Sequence, residues 1–173
     1  MLAAPERRRA SPHRVVAPPT PRLAKRLAVP PAPLAPGRVN HVALPTADPV
    51  AGARFYVETL GFRETERPGF SFRGSWLWRP EAGLMIHLIH DEGHRPPTGP
   101  INTRTHHLAL ETPDYDQAIA QLRAHGVEFV ERVLPDYGYR QAFFRDPDGN
   151  VLELGEWPPP EVMLGEESVG DGR

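Results

Sequence analysis

The hydrophobic pattern of the chain begins, at residue 39, with alternation and then changes to helical spacing. Residues 39–44 alternate and are rich in β-forming side chains, so they predict a strand. Asp48 followed by Pro49 predicts a helix N-terminus, and apolar positions at helical spacing continue until Gly61 ends the helix. Strand-like runs follow at residues 62–66, 71–78 and 83–90. The pattern therefore predicts a βαβββ module over residues 39–90.

The same order of elements is repeated in the second half of the chain. Residues 106–111 predict a strand, and Asp114 with its preceding proline leads into a helix through Arg123. Further strands are predicted at residues 127–133, 140–145 and 151–156, with a tight turn at 146–149 and a proline-containing linker at 91–104. The pattern predicts an α+β fold with two βαβββ modules, 39–90 and 105–157, in one domain over residues 39–157.

Both ends of the chain differ in composition from this domain. Residues 1–38 are basic and rich in proline, and Glu6 is their only acid. With few large apolar side chains, this segment cannot bury enough surface to offset the entropy lost on ordering, which predicts a disordered extension. Three consecutive prolines begin residues 158–173, which are predicted to form a flexible acidic tail.

Charge, cysteine content and hydropathy exclude several classes of protein. The formal net charge of the 173 residues is −2, which predicts no general attraction to nucleic acid. The absence of cysteine excludes disulfides, thiolate metal ligands and a cysteine nucleophile. No apolar run reaches the roughly 18 residues that a membrane helix needs. We therefore expect a cytoplasmic protein that binds a small molecule rather than nucleic acid or a membrane.

Histidine and carboxylate side chains occupy matched positions in the two modules. Aligning the first strands pairs His41 with His107, and aligning the last strands pairs His87 with Glu153. Because side chains alternate along a strand, all four can point into one cup formed by the two modules. Nitrogen and carboxylate ligands without sulfur suit Zn²⁺, Ni²⁺, Co²⁺, Mn²⁺ or Fe²⁺. The expectation is a cup that holds one divalent metal ion.

The other histidines are not expected to bind the metal. His106 is adjacent to His107 in a strand, so its side chain points to the opposite face. His90 lies near a strand end, His94 lies in the linker, and His125 lies at a helix end. These three side chains are predicted to be solvated.

Several strings of residues give the chain a family resemblance. They are FYVETLGF, FFRDPDGNVLELGE, ERPGFSFRGSWLW, MIHLIH and HHLAL. Residues 39–157 resemble the vicinal oxygen chelate superfamily, which includes glyoxalase I, methylmalonyl-CoA epimerase, fosfomycin-modifying enzymes and extradiol dioxygenases. Within it, the chain is most similar to the glyoxalase-I-like proteins of plants and their bacterial relatives. The resemblance implies paired modules around a metal. Since partner modules meet within one chain or across a dimer, we expect a homodimer.

Departures from the patterns of the family bear on the reaction. Glyoxalase I normally has glutamate, acting as ligand and base, at the position of His87, so the histidine argues against the glutathione-dependent reaction. Extradiol dioxygenases place tyrosine three residues before the DP turn, where this chain has Phe143. Fosfomycin thiol transferases carry threonine two residues after the first histidine, where this chain has Ala43. Bleomycin-type binding proteins use the fold without metal, and the four matched ligands argue against that role.

The resemblance and these departures favour a metal-dependent lyase or isomerase of the glyoxalase I, or lactoylglutathione lyase, kind. Its expected substrate is a small α-hydroxycarbonyl compound or a thiol adduct. Two alternatives stay open. An extradiol-type dioxygenase fits the His41, His107 and Glu153 triad, and a non-catalytic small-molecule binding protein needs only a pocket.

Further site residues follow from strand parity. Glu111 lies on the His107 face and is the candidate base, with a solvated strand end as its alternative role. We expect Glu153, Glu111 and His87 to be the catalytic residues. The candidate substrate-binding residues are Tyr139, Gln141, Phe143 and Trp76, of which Trp76 could instead pack in the core. Arg104 and Arg140 are either holders of an anionic substrate or surface arginines.

Overall fold

The computed structural model describes residues 33–165, so most of the predicted extension at residues 1–38 and the end of the tail lie outside the described residues. The first module contains β1 (His41–Thr46), α1 (Pro49–Leu60), β2 (Arg63–Thr65), β3 (Gly74–Arg79) and β4 (Leu84–His90). The second module contains β5 (Leu108–Glu111), α2 (Tyr115–Ala124), β6 (Phe129–Val133), β7 (Arg140–Arg145) and β8 (Val151–Gly155). The predicted α+β fold of two βαβββ modules is confirmed.

Each module forms a four-stranded mixed sheet with the same strand order. The orders are β1-β4-β3-β2 in the first sheet and β5-β8-β7-β6 in the second. In each sheet the first strand runs parallel to the last, and the remaining pairs are antiparallel. Ala43 pairs with His87, and Ala109 pairs with Glu153 in the same way. The sheets therefore place the last-strand ligands at equivalent points.

Local chemistry sets the ends of the helices. The side chain of Asp48 accepts hydrogen bonds from the backbone N–H groups of Val50 and Ala51, and Pro49 occupies the first turn. Gly61 ends α1 in the left-handed region, with φ of 71°. Asp114 caps α2 by accepting from the Gln117 N–H. The predicted helix caps are thus present, because they depend on neighbours within one turn.

One hydrophobic core joins the two modules. Its fully buried members include Tyr56, Phe62, Leu77, Ile86, Phe144 and Leu152. The ring of Phe55 on α1 lies 6.5 Å from that of Phe144 on β7, across the boundary between modules. Since side chains alternate along a strand, the residues between these core positions point to the opposite face of each sheet. We call this the histidine face of each sheet. In the first sheet it carries His41, Trp76 and His87, and in the second it carries His107, Phe143 and Glu153.

A buried polar contact also joins the modules, at the turn between β7 and β8. The Thr46 hydroxyl donates to Asp148 Oδ2 at 2.5 Å, and the Ala47 N–H donates to Asp148 Oδ1 at 2.7 Å. The Tyr56 hydroxyl donates to Asp146 Oδ2 at 2.8 Å. Burial raises the pKa of Asp146, and it also raises the pKa of Tyr56 far above its ordinary value. The turn predicted from the sequence is therefore also the contact between modules.

The structure corrects several local predictions. The first strand covers His41–Thr46, two residues later than predicted, and a short helix, α3 (Pro160–Leu164), lies in the segment predicted to be flexible. His94 is not solvated, because its Nε2 donates to the Asp148 carbonyl at 2.7 Å and ties the linker to the turn. Among the described residues, no helix is both long enough and apolar enough to span a membrane.

Candidate metal centre

In the second module, a histidine and a carboxylate form a close pair. His107 Nε2 lies 3.0 Å from Glu153 Oε2. Glu153 is only 1% exposed, and its other oxygen, Oε1, accepts a hydrogen bond of 2.7 Å from Gln141 Nε2. The ring of Phe143 meets that of His107 edge-on, with centroids 5.3 Å apart. The predicted residues His107, Gln141, Phe143 and Glu153 are therefore one cluster.

The hydrogen bonds of this pair leave two acceptors facing each other. His107 Nδ1 lies 2.7 Å from the Thr105 carbonyl, which can only accept, so Nδ1 carries the proton. In a neutral ring, Nε2 then has a lone pair directed at the Glu153 carboxylate. Burial raises the pKa of Glu153, although His107 and the Gln141 hydrogen bond act in the opposite direction. A proton or a cation between the two groups would remove the repulsion.

In the first module, the corresponding pair consists of two stacked imidazoles. The rings of His41 and His87 lie 4.1 Å apart with an interplanar angle of 16°. Trp76 stacks on the other side of His87, at 4.3 Å and 6°. His41 Nδ1 lies 2.9 Å from Asn40 Oδ1. This contact uses Nδ1 of His41 and not its Nε2. Burial is the largest cause that lowers the pKa of His87, followed by the charges of His41 and Arg67.

These contacts fit a divalent metal. His87 Nε2 is buried and has no hydrogen-bond partner among residues 33–165. His41 and His107 each donate from Nδ1 to an oxygen, the arrangement that orients a histidine whose Nε2 binds a metal. Two ligands at right angles, each about 2.1 Å from a metal, lie about 3.0 Å apart. The His107–Glu153 distance of 3.0 Å equals that spacing.

A single chain does not bring all four predicted ligands together. Within residues 33–165, no three histidine, aspartate or glutamate side chains are grouped so that they could hold one ion. The ligands form two pairs instead, one on each histidine face. The expectation that one chain forms a four-ligand cup is therefore not met by the isolated chain.

The other predicted residues lie in different environments. Glu111 is exposed and borders a groove of about 640 Å³, which is also lined by Arg79 and Asp114. Tyr139 is half-buried directly before β7, and Arg104 and His106 are exposed. Arg140 is not available for an anionic substrate, because its guanidinium pairs with Glu156 and Asp116 at 2.7 Å each and lies 4.5 Å from the Tyr115 ring centre.

Sequence reasoning did not identify some residues that the site contains. Asn40 and Thr105, which hold the Nδ1 atoms of the two ligands, occupy no matched positions of the modules. Arg67, Phe70 and Phe72 lie in the loop between β2 and β3 and extend the stack of rings from Trp76. Closeness to the first histidine was a usable signal for Asn40. Phenylalanines on a glycine- and proline-containing loop were the signal for the ring stack.

The repeated βαβββ modules carry a histidine–carboxylate pair on one sheet and paired histidines on the other, and together they define a two-module α+β class of protein. The model of the Glyoxalase/Bleomycin resistance protein/Dioxygenase superfamily matches residues 38–154. The chain belongs to this superfamily.

Relatives in the superfamily carry different names. Glyoxylase I 4 of Arabidopsis thaliana is 26% identical over 119 residues, which are 67% of this chain and 68% of that protein. YaeR, an uncharacterized protein of Escherichia coli, is 32% identical over 125 residues, which are 69% of this chain and 95% of that protein. A metapyrocatechase of Geobacillus stearothermophilus is 28% identical over 124 residues, which are 68% of this chain but only 36% of that protein.

Solved structures of similar proteins have the same fold. A glyoxalase family protein from Enterococcus faecalis is 31% identical and superimposes with a TM-score of 0.55 over 69% of this chain and 97% of its own. TnmS3, an antibiotic binding protein from a Streptomyces species, is 29% identical, with a TM-score of 0.57 over 72% of this chain and 99% of its own. The fold therefore occurs in proteins described as glyoxalase-like and in one described as a binding protein.

Proposed function

We propose that the protein is a metal-dependent, glyoxalase-I-like lyase or isomerase that acts on a small α-hydroxycarbonyl compound or a thiol adduct. The observation that carries the proposal is the His107–Glu153 pair, whose Nε2 and Oε2 atoms lie 3.0 Å apart. The similarity to glyoxylase I 4 supports the same class of reaction. The residues proposed to hold one divalent ion, Zn²⁺, Ni²⁺, Co²⁺, Mn²⁺ or Fe²⁺, are His41, His87, His107 and Glu153.

We further propose that a second copy of the chain completes the centre. Within the described residues of one chain, the two pairs do not meet. One pair consists of two histidines and the other of a histidine and a carboxylate, Glu153, which is the one carboxylate among the four residues. In a two-fold symmetric dimer, the first module of one copy can face the second module of the other, and the reverse contact follows by symmetry. The homodimer then has two equivalent four-ligand sites.

Each residue has a chemical task in this proposal. A bound divalent ion polarises a carbonyl oxygen and stabilises the negative charge that develops on it. Glu153 provides the one negative charge among the four ligands, and Gln141 orients its carboxylate by the hydrogen bond to Oε1. Phe143, 4% exposed, keeps water away from the pair. Glu111, exposed on the His107 side of β5, is the proposed base that takes a proton from the carbon next to the carbonyl.

Mixing two inactive variants tests the shared centre. His41→Ala damages the first-module pair and Glu153→Gln damages the second-module pair, so a mixed dimer keeps one intact site of two. After random exchange of subunits, about half of the dimers are mixed, and about a quarter of the wild-type metal sites should return. The matched control mixes His41→Ala with His87→Ala, which damage the same module, and it should recover nothing. Mixed dimers without recovered metal would show that the centre is not shared.

Product analysis tests the reaction. The metal-loaded protein is incubated with methylglyoxal and glutathione, and separately with catechols under oxygen. An extradiol-type dioxygenase is the second candidate, because the protein is similar to a metapyrocatechase. Phe143 argues against it, since this buried side chain has no hydroxyl group. Oxygen uptake with a ring-cleaved product would reverse this order of candidates.

A non-catalytic binding protein is the third candidate, and the similarity to TnmS3 favours it. A metal-dependent enzyme should be purified with bound metal or gain thermal stability from an added divalent ion. A protein that takes up none of the five ions, but gains stability from an organic ligand, would be a binding protein.

A further inference from the structure

A row of five aromatic rings leads from the surface to the predicted metal ligands of the first module. Phe72 and Phe70 are stacked, with centroids 5.1 Å apart, and Phe70 lies 6.1 Å from Trp76. Trp76 stacks on His87 at 4.3 Å, and His87 stacks on His41 at 4.1 Å. We call these five residues the ring row. It joins the loop between β2 and β3 to the histidine face.

Arg67 fixes the outer end of the ring row and brings a positive charge to it. Its guanidinium lies 4.7 Å from the Phe70 centroid and 4.6 Å from the Phe72 centroid, and Nη2 donates to the Phe72 carbonyl at 2.8 Å. Among the described residues, Arg67 has no carboxylate partner. These contacts restrict the side chain of Arg67, and the planar guanidinium has further N–H groups that suit an acidic group.

The outer rings are not needed for the hydrophobic core. Phe70 is 46% exposed and Phe72 is 43% exposed, and neither belongs to the core that joins the modules. Beside Trp76 lies a cavity of about 360 Å³. Its other lining residues are Arg38, Asn40, Thr65, Glu66, Trp78 and Met85. Of the ring row, Trp76 alone lines this cavity, so the exposed outer surface of the row lies at Phe70 and Phe72.

We propose that the ring row is the binding platform for a planar aromatic acid, whose ring stacks against Phe70 and Trp76 and whose acidic group binds Arg67. The proposal names the substrate class of the centre proposed above, and it therefore rests on that proposed function. The aromatic surface selects a flat ring, and the arginine without a carboxylate partner selects a negative charge. The row continues through Trp76 to His87 and His41, so a ligand bound at Phe70 and Trp76 lies one ring away from the predicted metal ligands.

Binding of 2-naphthoate to the full-length protein tests the proposal. Affinity is measured by calorimetry and by quenching of tryptophan fluorescence, for which Trp76 is a built-in reporter. The uncharged 2-naphthalenemethanol and the non-aromatic cyclohexanecarboxylate should each bind roughly tenfold more weakly than 2-naphthoate. Both metal-free and Zn²⁺-loaded protein are measured, so failure of the metal centre is distinguishable from failure of the platform.

Variants locate the binding site. Phe70→Ala should weaken 2-naphthoate about tenfold, whereas Arg67→Gln should weaken 2-naphthoate about tenfold but leave 2-naphthalenemethanol within about twofold. The matched control is Tyr137→Ala, because Tyr137 is 49% exposed on the corresponding loop of the second module. This control should leave the affinity unchanged.

Three results would overturn the proposal. The first is no binding of 2-naphthoate by folded protein, with or without Zn²⁺. The second is equal affinity of the Phe70→Ala variant and the wild type. The third is a change of oligomeric mass in Phe70→Ala, which would assign the exposed rings to the contact between copies. Binding of 2-naphthoate by metal-free protein supports the platform even if no metal-dependent reaction is found.

Discussion

The two modules have the same strand order and register, yet their histidine faces differ in chemistry. Across β7 and β8, Phe143 pairs with Glu153, just as Trp76 pairs with His87 across β3 and β4. The second module presents a buried carboxylate that accepts a hydrogen bond from Gln141. The first presents a stack of three rings, of which Trp76 and His87 are half-buried and His41 is exposed. One fold therefore supplies a carboxylate oriented by a hydrogen bond on one sheet and a stack of rings on the other.

A single matched position explains part of this difference. Gln141 precedes Phe143 by two residues and donates to Glu153, and the equivalent position in the first module is Gly74. A Cβ atom at Gly74 would lie 2.4 Å from the Leu88 carbonyl oxygen, so a side chain cannot be placed there without moving the strand. Gly74 therefore offers no side-chain amide to His87, and among the described residues His87 Nε2 has no hydrogen-bond partner.

The largest expected effect comes from removing the one charged ligand. Glu153→Gln should lower metal affinity by about three orders of magnitude, because a charge pair at 4 Å is worth about 4 kcal/mol at an effective dielectric of 20. Metal content of the purified protein and calorimetric titration measure the effect. Glu111→Gln removes an exposed carboxylate of the same module and should retain the metal. Equal metal content in Glu153→Gln and wild type would contradict the assignment.

A smaller effect is expected from removing the amide that only the second module has. Gln141→Met keeps the size of the side chain but removes the hydrogen bond to Glu153 Oε1. Loss of a group that orients a ligand should weaken metal binding about 10- to 100-fold. The same titration measures this change. Unchanged affinity would mean that the metal itself orients the carboxylate. The difference between Gln141 and Gly74 would then not affect metal binding.

The contact between the modules should contribute to the stability of both. Thr46→Val removes the hydroxyl that donates to Asp148 and leaves a buried carboxylate oxygen short of a partner. The free energy of unfolding should fall by about 1–3 kcal/mol, in a single urea transition for both modules. Thr65→Val is the control, since its hydroxyl makes only a long bond of 3.4 Å and should change stability by less than about 0.5 kcal/mol. Two separate transitions would instead show that the modules unfold independently.

The smallest expected effect is a pH dependence of the metal-free protein. Burial raises the pKa of Glu153, so the folded chain binds a proton at a higher pH than the unfolded chain does. Between the ordinary carboxyl pKa and the raised one, this group makes stability fall as pH rises. Glu153→Gln lacks this dependence. Across that window, the free energy of unfolding of the variant should therefore rise relative to that of the wild type. Urea unfolding in the presence of a chelator at several pH values measures it, and a constant difference would contradict it.

The short-range features of the fold could be predicted from the pattern of residues. The helix of the first module starts at the predicted Asp48 cap and stops at the predicted Gly61, because both features act through neighbours within one turn. Matched alternation placed His107 and Glu153 on one face, where they form a pair. Pairing of His41 with His87 followed from the same period of two.

Contacts between residues far apart in the chain could not be predicted in this way. Nothing in the local pattern of Arg140 indicates that it pairs with Asp116 and Glu156, and nothing in the linker shows that His94 binds the Asp148 carbonyl. The residues Arg67, Phe70 and Phe72 were visible only as part of a family resemblance. Their stacking depends on how a loop folds back over the sheet.

Period and local capping thus established the two modules and the face on which each ligand lies, since these properties depend on neighbours along the chain. The arrangement of the ligands as two separate pairs, the orphaned His87 nitrogen and the ring row arise from packing between distant strands and loops. Such packing balances burial, hydrogen bonding and steric fit among residues tens of positions apart. The strand pattern is compatible with one group of four side chains or with two pairs, and the three-dimensional contacts of residues 33–165 form two pairs.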